Sequence, residues 1–410
     1  MWFRYALIIV LVLAIDWYFF QAVRTVSQTS SETKRSIINC TYWGFTVFTL
    51  AFAFIYNILP SVGSMKFVKL YCVSLIVIVM LCKLIGIIPV LIDDIIRLLK
   101  LIIQLLNPSR TLDGADLSRA KFLNQFALII AAIPFAGFVY GMVKGAFDFQ
   151  LKTIKIKLTN LPESFRGLKI LQISDLHIGS FVSGKPVQTA IDIILKQKAD
   201  VIFFTGDLVN NLAAEAEEFL DILKNIKAPL GVFSILGNHD YGHYMRWNTE
   251  DERSTNLARL KEIHNEAGWN LLLNENRILE KNGDKLAIIG VENWSAVMRF
   301  PRYGNLPLAM KGVADIPVKL LLSHDPSHWS AEVVKTFRDI DITFSGHTHG
   351  MQFGVEIPGF KWSPVQYFYK QWAGLYQEGN QYLYVNRGLG FIGYMGRVGI
   401  LPEITLFELG

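Results

Sequence analysis

Apolar residues are distributed unevenly, and the pattern changes near residue 147. Before it, four apolar stretches, about 3–20, 37–59, 67–91 and 122–143, reach the roughly 20 residues a helix needs to cross a bilayer. Trp17, Tyr18, Tyr42 and Trp43 sit near span ends, where amphipathic rings favour the headgroup region. Between the third and fourth stretches, IDDIIRLLKLIIQLL carries Asp93, Arg97, Lys100 and Gln104 at helical spacing. That is one narrow polar stripe on a helix ended by Pro108. Such a helix lies in the interface or packs on the bundle; the alternative is a continuation of the third span. Asp16 and Lys83 are ionisable residues in or near apolar spans, which either pair, mark a polar pathway or snorkel to the span ends.

Beyond residue 147 the pattern is that of a globular α/β domain. Residues 149–158 alternate as a half-exposed strand. Apolar runs of about five residues then alternate with helix-like segments at 186–197 and 213–226. LAIIGVEN, YLYVNRGLG and the terminal ITLFEL read as further strands. Buried strands alternating with helices predict two packed sheets flanked by helices, with ligands on loops at strand ends. The expected organisation is therefore 1–147, a transmembrane region with about four helices and an interfacial helix near 92–106, and 148–410, a globular domain.

Composition agrees with the division. Of 410 residues, 51% are hydrophobic, too many for an ordinary soluble enzyme. The three cysteines, Cys40, Cys72 and Cys82, all fall in the apolar part, so the second part has no disulfide framework. A net charge of +5 tolerates anionic lipid or an anionic substrate and gives no reason to expect nucleic acid. The first span lacks a small-residue cleavage site and is followed by three more, which argues against a signal peptide. The positive-inside count alone does not fix the side, since basic residues flank the spans on both. The basic run after the fourth span (Lys144, Lys152, Lys155 and Lys157), with no export signal and no Cys pair, tilts the second part toward the cytoplasmic face of an inner or plasma membrane.

The chemistry lies at the ends of five apolar runs. KILQIS leads into Asp175-Leu-His177, VIFFT into Gly206-Asp207, and GVFSIL into Gly237-Asn238-His239-Asp240. KLLLS leads into His324, and ITFS into Gly346-His347-Thr348-His349. Any one of these alone reads as a turn or a satisfied histidine. Five in order describe one site built from strand ends. Carboxylate, amide oxygen and imidazole without thiolate suit Mn²⁺, Fe or Zn²⁺. Seven candidate ligands are too many for one ion and suit two that share a bridge. Two such ions can hold a hydroxide between them and clamp a phosphoryl group for in-line attack.

This ordered set resembles the calcineurin-like metallophosphoesterases over about residues 165–410. The resemblance implies a four-layer αββα sandwich following the all-α transmembrane bundle, and a binuclear site with Mn²⁺ as the expected metal. It implies that Asp175, His177, Asp207 and His349 hold the first ion, and Asp207, Asn238, His324 and His347 the second. His239 would contact the phosphate and protonate the leaving oxygen. Many members place an Asp three residues after the bridging Asp to orient that histidine. Asn210 stands there instead, which puts the strength of the acid step in question.

Three segments are candidates for shaping the pocket: 241–247 (YGHYMRW) as a lid, 294–303 with Arg299 and Arg302, and the aromatic stretch 358–376. Arg387 and Arg397 can bind phosphate or carboxylate bidentately or form structural salt bridges. Asn210 and Arg387 are taken as substrate-contacting. The resemblance to membrane-associated members makes a lipid-linked phosphate the expected substrate. UDP-2,3-diacylglucosamine is the specific candidate, with another phospholipid, a phosphoprotein or a cyclic nucleotide as alternatives. A non-enzymatic, metal-bound membrane scaffold is the competing class.

Overall fold

In the computed structural model of the protein, which describes residues 2–56, 58–59, 63–106 and 116–410, all four apolar stretches are helical. They are α1 (Trp2–Ser27), α2 (Glu32–Ile55), α3 (Gly63–Leu106) and α4 (Asp116–Val143). Each is long and apolar enough to cross a membrane. Residues 92–106 continue α3 without interruption, which corrects the expectation of a separate interfacial helix. No glycine or proline lies between 91 and 106 to end it. Pro108 lies outside the described residues. The polar stripe turns partly inward: Asp93 is buried and receives Arg97 at 2.7 Å and Arg119 of α4 at 3.0 Å.

Asp16 and Lys83 pair inside the bundle at 2.6 Å, both almost fully buried. The Asp16 carboxylate also accepts from the Thr46 hydroxyl, and the Tyr42 hydroxyl donates to the Asp16 carbonyl at 2.7 Å. Three helices thus meet on one carboxylate. Nearby, a Cβ on Gly86 would lie 2.9 Å from the Ala127 carbonyl, so α3 and α4 approach with nothing between them.

The chain divides into two compact units, Met1–Tyr140 and Gly141–Gly410, a boundary several residues before the one read from the sequence. The reason is local: the Arg397 amide donates to the Gly141 carbonyl at 3.1 Å, which draws the last turn of α4 into the second unit.

In the second unit, fourteen strands are described. β1 (Gln150–Ile156), β2 (Lys169–Ile173), β3 (Val201–Phe204), β4 (Val232–Ser234) and β5 (Asn270–Leu271) belong to the first sheet. β6 (Glu275–Lys281), β7 (Asp284–Gly290), β8 (Val318–Leu322) and β9 (Ile342–Ser345) belong to the second. A small hairpin follows, β10 (Val355–Ile357) and β11 (Phe360–Trp362), then β12 (Gly374–Glu378) and β13 (Gln381–Val385) of the second sheet. β14 (Glu403–Leu409) returns to the first sheet. The orders are β1-β14-β2-β3-β4-β5 and β12-β13-β9-β8-β7-β6. Within them β2, β3 and β4 run parallel, as do β7, β8 and β9.

Ile170, Phe203, Phe233 and Phe407 of the first sheet meet Ile288, Leu320, Phe344 and Tyr384 of the second in one core. The Phe203 and Phe344 rings lie 5.0 Å apart, edge to face. Helix α5 (Gly184–Lys196) covers the first sheet with Val187, Ala190, Ile191 and Ile194. Leu306, Ala309, Trp329 and Val333 cover the second. This is the four-layer sandwich. The helix expected over 213–226 is two single turns, Ala214–Glu217 and Leu220–Leu223, because Phe219 buries its ring and leaves helical dihedrals.

The bundle yields a prediction. Lys83→Met strands a buried carboxylate and should cost about 3–5 kcal/mol. The double substitution Asp16→Leu/Lys83→Met should recover most of it. Denaturant unfolding in detergent, followed by helical circular dichroism, measures both. A double variant no more stable than the single would show that the pair is not the cause.

Candidate metal centre

All five motif segments leave the C-terminal ends of parallel strands: β2, β3 and β4 in one sheet, β8 and β9 in the other. The two sheets therefore present their donors to a common space. Reaching it bends the backbone. Asp175, His177, Asp207, His347 and His349 all have positive φ, between 42° and 72°, a region that side chains other than glycine occupy at a cost. Gly237 lets two of the loops touch: a Cβ there would lie 2.2 Å from Asp207 Oδ1.

Asp240 ties these loops together. Its carboxylate accepts the amides of Asp207, Leu208 and Gly237 at 2.9 Å each, and of Val209 at 3.2 Å. Burial and the neighbouring Asp207 charge push the Asp240 carboxyl up to about 7, against the four N–H donors that favour its anion.

The side chains of Asp175, His177, Asp207 and His349 converge, their donor atoms all within 4.8 Å of one another. His177 Nε2 and His349 Nε2 are 3.1 Å apart. His349 Nε2 lies 3.2 Å from Asp175, and His177 Nε2 lies 3.5 Å from Asp207 Oδ2. On the other side of Asp207, His324 Nε2 lies 3.2 Å from the same Oδ2. His347 Nδ1 faces Asn238 Oδ1 at 2.7 Å. Asp207 thus stands between two groups of donors.

The partners of these rings decide what the donors offer. His324 Nδ1 donates to the Thr205 carbonyl at 2.7 Å, which leaves Nε2 a lone pair that is buried with no hydrogen-bond donor. His177 Nδ1 lies 3.1 Å from Asn210 Oδ1, which again turns a lone pair on Nε2 inward. Arg397 lies 3.2 Å from His349 Nδ1. Lone pairs and carboxylate oxygens crowd one volume, so the chemistry of the donors calls for positive charge there.

Electrostatics point the same way. Burial would raise the Asp175 and Asp207 carboxyls, but the facing histidines hold both below the usual range. Burial keeps His177 and His347 low and therefore neutral, as ligands must be. Burial would also lower His324, yet Asp207 and then Asp175 push it up to about 10. A divalent cation held by these donors would supply the charge that a proton on His324 otherwise provides. The residues fit the metals expected from the sequence.

His239 stands beside this cluster, its ring 4.9 Å from His177 and 4.4 Å from Tyr244. Its Nδ1 donates to the backbone carbonyl of Asn210 at 2.9 Å, leaving Nε2 for exchange with the cavity. This corrects the role expected of the Asn210 side chain. The amide faces His177 and Ser180 instead, and Asn210 does not line the cavity. Arg387 is a second correction. It is 3% exposed, bonded to Glu403 and to Glu356 (2.7 Å), and absent from the cavity wall. A guanidinium held by two carboxylates is a structural salt bridge.

The cavity over the cluster has a volume of about 550 Å³. Asp207, Asn238, His239, His347 and His349 form its floor, and Phe300, Met351, Val365, Phe368 and Ile392 form an apolar wall. The three sequence segments contribute unequally. From 241–247 Tyr244 reaches the cavity, its hydroxyl accepting from Asn238 Nδ2 at 2.9 Å. From 294–303, Arg299 lines the cavity over the Phe300 ring (4.7 Å), with no carboxylate paired to it among the described residues. Arg302 folds back on Trp294. In 358–376, Tyr369 and Trp372 are buried while Phe360, Tyr367 and Phe368 are exposed. Of the arginines in the three pocket-shaping segments, Arg299 is the one that lines the cavity.

Comparison with known proteins covers both units. The family described as "Calcineurin-like phosphoesterase" matches residues 168–351. The one described as "Probable Calcineurin-like phosphoesterase, transmembrane domain" matches residues 2–146. The uncharacterized metallophosphoesterase YkuE of Bacillus subtilis is 30% identical over 299 residues, covering 72% of this chain and 98% of its own. Phosphodiesterase YaeI of Escherichia coli is 28% identical over 295 residues, 72% of this chain and 99% of its own. A transmembrane protein with metallophosphoesterase domain from Danio rerio is 28% identical over 309 residues, 74% of this chain and 66% of its own.

Asp240→Ala should orphan four buried amides. A loss of about 3 kcal/mol or more is expected, together with reduced metal content. Thermal unfolding and metal analysis of the purified protein check both. Unchanged metal content would show that the loops hold their form without this carboxylate.

Proposed function

Because the chain belongs to the calcineurin-like phosphoesterases, with a transmembrane domain in the same polypeptide, we propose that it hydrolyses a lipid-linked phosphoester or pyrophosphate at a binuclear centre. The observation that carries this reading is Asp207, whose Oδ2 lies within 3.5 Å of imidazoles from both donor groups. In this proposal Asp175, His177, Asp207 and His349 hold one ion, and Asp207, Asn238, His324 and His347 the other, with Mn²⁺ preferred and Fe or Zn²⁺ tolerated. Two such ions supply a nucleophile at neutral pH and neutralise the phosphoryl oxygens.

The chain's own residues do the rest. His239, held by the Asn210 carbonyl, delivers a proton from Nε2 to the leaving oxygen. Asn210 acts one step back, orienting His177. Arg299 is the cation left for the substrate's anionic portion, and the wall of Phe300, Phe368 and Ile392 receives an apolar one. Four membrane-length helices in the same chain favour a substrate that lives in the bilayer. UDP-2,3-diacylglucosamine, with its pyrophosphate and two acyl chains, is the specific candidate. The domain is proposed to face the cytoplasm from an inner or plasma membrane, on the strength of the lysines after the fourth span.

Purified protein with Mn²⁺ should release nitrophenol from bis-p-nitrophenyl phosphate, lose this on chelation and regain it on adding metal back. No metal-dependent release from any phosphoester would overturn the proposal. Mass spectrometry of products from a panel of lipid-linked phosphates identifies the substrate, and UMP with a diacylated sugar phosphate is the expected pair. His239→Asn should slow turnover by about 10²–10⁴-fold, most for poor leaving groups, with metal content unchanged. Labelling of an introduced surface cysteine in the second unit from outside intact cells would refute the cytoplasmic placement.

A further inference from the structure

Asp325 follows the ligand candidate His324 directly and takes no part in the site as read from the sequence. It is 1% exposed, and its only ion-pair partner among the described residues is His347, at 3.5 Å. A buried carboxylate is costly unless hydrogen bonds and a nearby cation support it, and the side chains of Ser295 and Ser327 supply two such bonds. Ser327 supplies its amide at 2.8 Å, and the Tyr369 hydroxyl donates to Oδ2 at 3.2 Å. The same hydroxyl lies 2.8 Å from His347 Nε2. Tyr369 is fixed in turn by a small core of Val365, Trp372, Ala373 and Ile400.

One assignment of these bonds, the one that leaves a ligand lone pair beside Asn238, puts the His347 proton on Nε2. Asp325 offers acceptors alone, so the tyrosine hydrogen goes to it. The tyrosine oxygen then accepts from Nε2–H, and Nδ1 keeps its lone pair. On the far side, Asn238 Nδ2 donates to Tyr244, which turns Asn238 Oδ1 toward His347 Nδ1 at 2.7 Å. In that tautomer the two face each other as acceptors, a contact that a cation held by both would relieve. Phe300, edge-on to His347 at 4.8 Å, closes the remaining side of the ring.

We propose that Asp325 and Tyr369 are positioning residues for the second metal ion, holding His347 as the Nε2–H tautomer with Nδ1 aimed beside Asn238 Oδ1. This rests on the binuclear reading above and deepens it: the two metal sites have separate supports. Asn210 serves His177 in the first site, and the Tyr369–Asp325 pair serves His347 in the second. None of the first-site ligands touches Tyr369 or Asp325. Outer hydrogen-bond partners of ligating histidines typically govern metal affinity by about 10–100-fold.

The test is Mn²⁺ titration of the full chain in detergent by calorimetry, with electron paramagnetic resonance to detect spin coupling between paired ions. The wild type should bind two Mn²⁺ and show the coupled signal. Tyr369→Phe, which keeps the ring and its packing, and Asp325→Asn should each weaken one site by about 10–100-fold. The other site should stay within about twofold, and the coupled signal should vanish at one equivalent. Equal weakening of both sites, or two unchanged sites in Tyr369→Phe, would overturn the assignment while leaving the binuclear reading intact. A wild type that binds no Mn²⁺ would overturn both. Should Asp325→Asn fail to fold, Tyr369→Phe alone decides.

Discussion

Everything in the second unit is arranged around a repulsion. Two carboxylates and four imidazoles, drawn from two sheets, crowd one small volume in which Asp207 is the shared member. Left to themselves these groups would separate or take up protons. They stay because each is held from behind: Asp207 at its amide by Asp240, His324 by Thr205, His177 by Asn210, His347 by Tyr369. The sandwich is what makes this possible. Its parallel strands end at one level, and the turns that follow accept unfavourable backbone conformations at five of the donors.

The same organisation explains why the neighbourhood of the site is unequal in charge. The floor is rich in ionisable groups and largely buried, with His239 and His347 partly exposed. The wall is apolar, with Arg299 at its rim. Arg387 and Arg397, which carry as much charge, are turned inward. Arg387 answers Glu403 and Glu356, while Arg397 spends its hydrogens on the carbonyls of Arg387, Gly388 and Gly390 and on His349. Arginine near a phosphate site is therefore a poor guide to phosphate contact unless its carboxylate neighbours are known.

How far the chain can be read without coordinates differs between levels. The motif donors were legible because their signal is local: an apolar run, a turn, then residues with the right atoms. The spans and the sandwich followed from periodicity in the same way. What escaped was contact between distant loops. The position of Asn210 was recognised, but which of its atoms meets which histidine depends on rotamers, and the backbone carbonyl took the task given to the side chain. Asp325 sat in plain view beside His324, yet its partner Tyr369 comes from an aromatic stretch that divides between core and rim. At α3 the limit is of another kind: the change of pattern at residue 92 suggests a new helix, yet no residue there stops the old one.

The donor cage is set almost wholly by hydrogen bonds within the polypeptide, and it contains oxygen and nitrogen but no sulfur. Such a mixture discriminates weakly among first-row dications, whose intrinsic preferences climb from manganese toward copper. A cage already in shape refuses a competitor chiefly through the coordination geometry it imposes. Within that geometry, which divalent ion fills the cage depends also on the supply of metal where the chain folds.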